Sequence, residues 1–165
     1  MNKIILALML FFPLVACSCE ENPCNKNSNL VLNKIDYKNL NKKQQENYNF
    51  YKVANLLANY GYISTRLNDD WNGADFLAIH INGDALKVQQ KARISIAKKY
   101  MGKNLYIVFP DQFNNWYLLL HDDLVDLWEQ TNKYIRKSGT WLKKGKYSQG
   151  TVSKKLIKLL KKFKL

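Results

Sequence analysis

Cysteine, histidine and the common nucleotide-binding signatures are scarce or missing in this chain, and each shortage closes a route. The three cysteines, Cys17, Cys19 and Cys24, all fall within the first 24 of 165 residues. The body of the chain therefore has neither a disulfide framework nor a cysteine-based zinc site, and must stand on its own core. His80 and His121 are far apart and lack ligand-spaced companions, so neither marks a zinc centre. No Walker loop, G-x-G-x-x-G or G-x-S-x-G string occurs, which leaves nucleotide hydrolysis, dinucleotide binding and serine-hydrolase chemistry without support. There is no internal repeat. Acid is also missing at one end: residues 130–165 hold 12 Lys or Arg and no Asp or Glu, whereas residues 1–129 hold 14 against 13.

What is present points to one globular domain. The length is that of a single domain, and 47% hydrophobic with 13% aromatic content argues against disorder. The net charge of +13 is almost wholly C-terminal. A one-sided charge of this kind attracts polyanions, so phosphate backbones and anionic lipid surfaces are the natural partners. A solvated basic tail is the alternative.

The first residues read as an address. Met1-Asn2-Lys3 is positive, Ile4 to Val15 is a short apolar run, and Leu14-Val15-Ala16-Cys17 places small residues before a cysteine. Residues 1–16 thus have the layout of a secretory signal, too short for a comfortable membrane span. The string also resembles the lipobox of bacterial lipoproteins, which implies lipidation of Cys17 and a tether to the membrane of the cell envelope. An unlipidated signal, or a true start near Leu30 with a cytoplasmic protein, is the alternative. Residues 17–32 read as a polar linker.

Beyond it, Asn41 and Gln44 form a capping pair, and Phe50, Val53, Ala54 and Leu57 recur at helical spacing, predicting a helix over 42–60. Tyr62 to Leu67 is a strand and Asn68 to Gly73 a turn by composition. Ala74 to Ile81 and Ala85 to Arg93 form a hairpin around Asn82-Gly83-Asp84. A helical turn over Ser95 to Met101, strands at Leu105 to Phe109 and Trp116 to Leu120, and a helix from His121 to Tyr134 follow. A linker then leads to a last helix capped by Ser148 or Thr151. The order predicts an α/β (α+β) fold, with a central mixed sheet of four to five strands covered by helices.

Three polar residues sit oddly in this scheme. Strand alternation groups Lys87, Gln89, Lys91 and Arg93 on one face of the third strand. Asp75 begins an otherwise apolar row with Leu77, Ile79 and Ile81, and a carboxylate there wants a cation or a donor. Glu46 precedes Phe50 by four residues and Val53 by seven, which aims it at the sheet with the buried stripe. A structural ion pair of Asp75 with Lys91 accounts for part of this.

Together, a helix acid, a strand acid and Gln-x-Lys on the next strand resemble the PD-(D/E)xK, or restriction-endonuclease-like, nuclease superfamily, whose core runs helix, three strands, helix, strand. The resemblance covers the nuclease-like domain at 33–134, and leaves 135–165 as a basic extension with an amphipathic helix. It implies a metal-dependent DNA endonuclease, with Mg²⁺ or Mn²⁺ held by Asp75, Gln89 and Glu46 and the attacking water positioned by Lys91. Gln89 departs from the usual carboxylate, and a neutral amide binds Mg²⁺ more weakly. A catalytically inactive nucleic-acid-binding or envelope-associated protein on the same scaffold is the alternative. Lys87, Arg93, Trp71, Lys143, Lys144 and Lys146 are the expected nucleic-acid contacts, and a homodimer is compatible with the resemblance. The last helix, with Val152, Leu156, Leu159, Leu160 and Phe163 along one side, either packs on the domain or lies on an anionic membrane.

Overall fold

Asn41 caps the first helix in both directions. Its side chain accepts from the Gln44 N–H, and its own N–H donates to Gln44 Oε1, each at 2.9 Å. This box satisfies two donors that a helix start leaves without partners. The helix α1 spans Lys42–Ala58 and buries Asn49, Phe50, Val53 and Leu57. It belongs to a computed structural model that describes residues 31–165. The expected export signal, Cys17 and most of the expected polar linker lie outside the described residues.

Strands β1 (Tyr62–Trp71), β2 (Ala74–His80) and β3 (Ala85–Gln90) form an antiparallel meander. The short β4 (Ser95–Ala97) and a 3-10 turn (Lys98–Tyr100) carry the chain over to β5 (Tyr106–Pro110), which lies parallel to β3. β6 (Trp116–Leu120) returns antiparallel and feeds α2 (His121–Thr131). The result is a five-stranded mixed sheet in the order β1-β2-β3-β5-β6. This is the α+β layout expected from the sequence. The crossover from β3 to β5 departs from the helix that the resemblance implies there.

Two layers cover the sheet. Phe50, Val53 and Leu57 of α1 pack on Phe76, Ala78, Val88, Val108 and Trp116. On the other face Ile107, Phe109, Tyr117 and Leu119 meet Leu124, Val125 and Trp128 of α2, together with Trp141, Leu156 and Leu160 from the C-terminal region. That region forms α3 (Gly139–Lys144), β7 (Lys146–Ser148) and α4 (Lys154–Leu160), with β7 paired to β4. Residues 135–165 are thus part of the same compact unit, Ile35–Leu165, rather than an appendage to it. The amphipathic stripe of α4 is used inside the domain, with Leu156 and Leu160 fully buried.

Several local expectations give way to tertiary pairing. The polar run Asn68 to Gly73 is not a six-residue turn: β1 continues through it, and only Asn72 (φ 57°) and Gly73 (φ 95°) make the reversal. Positive φ at both positions suits a two-residue hairpin loop. Ser95 to Ala97 is strand because β7 arrives to pair with it, which local propensity does not encode. Residues 138–148, expected as linker, fold into α3 and β7. Ser153, rather than Ser148 or Thr151, caps α4 by accepting from the Leu156 N–H. β3 stops at Gln90, three residues before Arg93.

Candidate active site

β1 and β2 leave their ladder at one place. Arg66 pairs with Phe76, and the next pair is Trp71 with Ala74, so residues 67–70 stand across from Asp75 alone. A bulge breaks the ladder and re-aims the residue opposite it. A cleft of about 410 Å³ opens there, lined by Lys43 and Glu46 of α1, Arg66 and Asp69 of β1, Asp75 of β2, and Gln90 and Lys91 at the end of β3. Acids and cations from four elements therefore meet at the broken end of the sheet.

The Asp75 carboxylate is held by the main chain of the neighbouring strand. The Gln90 N–H donates to Asp75 Oδ2 at 2.7 Å, a short, charge-assisted bond. The Gln90 side chain is pinned as well, because its Nε2 donates to the Glu46 carbonyl at 3.0 Å. With the amide fixed in that sense, Gln90 Oε1 is buried and has no hydrogen-bond partner. A buried acceptor left open costs about 1–3 kcal/mol, so it calls for a donor or a cation.

Glu46 is not buried against the sheet as its spacing predicts. Half of its side chain is exposed, and it pairs with Lys43 Nζ and with Arg66 Nη1, both at 3.0 Å. The Lys43 hydrogen bond, helped by Arg66, holds its carboxyl below the usual carboxylate range against a smaller opposing effect of burial. Arg66 also bonds the Glu46 carbonyl at 3.3 Å and lies 4.4 Å over the Phe50 ring, which ties β1 to α1 beside the cleft.

Gln89 is elsewhere. It is 2% exposed, does not line the cleft, and by register stands beside Ile107 on the sheet face opposite α1. Its Oε1 is buried without a hydrogen-bond partner too. Lys91 lies just past the strand end, where its N–H donates to Val108 O at 2.9 Å and its Nζ sits 5.9 Å from the Tyr100 ring. The cleft thus combines Asp75, Glu46 and Lys91 with Gln90 in place of Gln89.

The other expected contacts lie outside the cleft lining. Lys87 Nζ donates to Lys103 O at 2.9 Å and stands 5.9 Å over the half-exposed ring of Trp71. Arg93 is exposed beyond β3, Lys143 and Lys144 end α3, and Lys146 opens β7.

His121, just past β6, is a clamp rather than a ligand. Its Nε2 accepts from the Ala97 N–H at 3.1 Å, and its Nδ1 lies 3.0 Å from Asp122 Oδ1. These partners suit a neutral imidazole with the proton on Nδ1. Burial pushes its pKa down, Asp122 opposes that, and the positive charge of Lys91 adds to the depression.

Sequence spacing misses Lys43, Arg66, Asp69 and Gln90. The pair Gln89-Gln90 ahead of Lys91 offers two phases for the same motif, and of the two it is Gln90 that lines the cleft. The donor set is oxygen-rich but poor in carboxylates: among the described residues, no three His, Cys, Asp or Glu cluster closely enough to hold a metal ion. Asp75 with the open amide oxygen of Gln90 fits a weakly held hard cation, which accepts neutral oxygen donors and water.

No family model matches the chain, and neither does any curated protein. Among solved structures it is similar to that of a bacterial homing endonuclease, at 12% identity and a TM-score of 0.45, over 70% of this chain and 82% of that one.

Proposed function

We propose that the cleft at the β1–β2 bulge hydrolyses DNA phosphodiester bonds with the help of Mg²⁺ or Mn²⁺. The observation that carries this reading is the convergence of Asp75, Gln90, Lys91 and Glu46 on one cleft. Asp75 and the Gln90 amide oxygen are the residues that would hold the cation. When bound, the cation polarises the phosphodiester and lowers the pKa of the attacking water.

The remaining steps belong to the chain. The Gln90 N–H fixes the Asp75 carboxylate in place, so little reorganisation is needed as charge develops. The Lys91 ammonium, on the cleft wall, offsets negative charge on the phosphoryl oxygens and orients the water. Lys43 and Arg66 neutralise Glu46, so that this acid does not repel a phosphate entering the cleft.

A second reading has its own support. With Lys43, Arg66 and Lys91 along its lining, the cleft is also suited to binding a phosphate backbone without cutting it. Plasmid DNA incubated with the full chain, with Mg²⁺ or Mn²⁺ and with chelator, separates the two. Metal-dependent cutting that is lost in both Asp75→Ala and Lys91→Ala supports the nuclease; tight binding with no cutting supports the binding module.

A further inference from the structure

The two longest acid-free stretches of the chain are residues 85–110, between Asp84 and Asp111, and residues 130–165. They are distant in sequence, yet the fold joins them at one ribbon. β4 and β7 pair antiparallel with Ala97 opposite Lys146, and the Lys98 N–H donates to Gly145 O at 2.7 Å. The exposed Lys98 and Lys99, leaving β4, therefore lie beside the exposed Lys143, Lys144 and Lys146, which lead into β7.

This cluster is continuous with the cleft. Lys91, on the cleft wall, and Lys99 both stand over the Tyr100 ring, at 5.9 and 4.7 Å. Lys98 stands 5.7 Å over the Trp141 ring. The cationic row thus runs from Lys91 across Tyr100 to Lys99 and Lys98, then over Trp141 to the three lysines around Gly145. Gly145 itself, at φ 63°, lies against the Lys98 side chain, where an added Cβ would stand 3.8 Å from Lys98 Cβ.

The aromatic rings decide what such a row recognises. Tyr100 and Trp141 are 7% and 5% exposed and lie beneath ammonium groups. They floor the surface and offer no face for stacking a base. Proteins that grip single strands rely on such faces, whereas a row of ammonium groups alone meets phosphates.

We infer that the β4–β7 ribbon, with Lys98, Lys99, Lys143, Lys144 and Lys146, is a phosphate-tracking surface that holds duplex nucleic acid alongside the cleft, independently of base sequence. The inference rests on the proposed function for its orientation toward the cleft, but not for the binding itself. Phosphate contacts of this kind release counterions, so log K falls with log salt by about 0.9 for each contact on B-DNA.

The test uses the full chain with chelator present, so that no strand is cut. Duplex binding is followed by fluorescence anisotropy across a salt series, for the wild type and for Lys98→Gln, Lys143→Gln, Lys144→Gln and Lys146→Gln combined. A control of equal charge change replaces Lys154, Lys155, Lys158 and Lys161 on and after α4 by Gln, and thermal melts confirm that both variants fold. The ribbon variant is expected to flatten the salt slope by about 3 to 4 and to lose affinity alike on unrelated duplexes, with the control near wild type. Equal losses in both variants, an unchanged slope in the ribbon variant, or tighter binding of single strands than of duplex would each overturn the inference. Asp75→Ala, bound in the same assay, keeps the two proposals apart: it keeps the slope if the ribbon binds, whether or not the wild type cuts DNA.

Discussion

Gln90 holds Asp75 with its main chain and Glu46 with its side chain, bonding Asp75 Oδ2 through N–H at 2.7 Å and the Glu46 carbonyl through Nε2 at 3.0 Å. One residue at the end of β3 thus ties the strand acid to the helix that carries the second acid. Because the bond to Asp75 comes from the backbone, the side chain can be changed without releasing the carboxylate.

Gln90 and Gln89 are accordingly separable. Gln90→Leu is expected to weaken Mn²⁺ binding by roughly tenfold, within the range seen when groups around a metal are removed, while Asp75→Asn weakens it further. Gln89→Leu replaces a buried open acceptor with an apolar side chain of similar size, so the variant should melt no lower than wild type and bind Mn²⁺ unchanged. Titration calorimetry with Mn²⁺ reads the affinities; weakened binding in Gln89→Leu alone would return the ligand role to that residue.

Gly73 is fixed by two constraints at once. Its φ of 95° is costly for any residue with a Cβ, and a Cβ there would lie 2.5 Å from Tyr100 Cε1 and 3.1 Å from Leu105 Cδ2. Gly73→Ala should lose about 2–5 kcal/mol, the sum of left-handed strain and overpacking. Urea unfolding measures the loss; a cost under about 1 kcal/mol would mean that the turn relaxes.

His121 predicts a pH dependence with a definite sign. Its folded pKa lies below 6.5, so the unfolded chain binds more protons near and below that value. The stability it supports is therefore complete above pH 6.5 and is lost as pH falls through the folded pKa, where a second proton would face the Ala97 N–H across Nε2. Unfolding free energies at pH 7.5 and 5 should differ less in His121→Gln than in the wild type. An equal difference would assign the acid sensitivity to another group.

Asp111 organises the β5–β6 turn, accepting from the N–H groups of Phe113 and Asn115, from Asn115 Nδ2 and from the Tyr117 hydroxyl. Burial raises its pKa, but these four bonds outweigh it and hold the carboxyl below its usual range. Burial, reinforced by Asp111, pushes the Tyr117 phenol up to about 12. Asp111→Ala leaves several donors open and should cost about 2–4 kcal/mol by thermal or urea unfolding, in line with losing hydrogen bonds to a charged acceptor.

Much of this was written in the chain itself. The capping box at Asn41, the stripe Phe50, Val53 and Leu57, and the alternation through β2 and β3 are local patterns, and local patterns follow from the periods of helix and strand. They suffice for an α+β domain and for the nomination of Asp75, Glu46 and Lys91. The bulge that sets Asp75 opposite residues 67–70 is a matter of register between strands, and that Gln90 lines the cleft is legible only in the folded chain. Arg66 reaches Glu46 across 20 positions of sequence, and β4 becomes a strand because β7, far along the chain, returns to pair with it, Ser95 opposite Ser148. Such pairings are decided by packing between distant segments, which no window of sequence contains, and they turned a basic tail into one wall of a continuous surface.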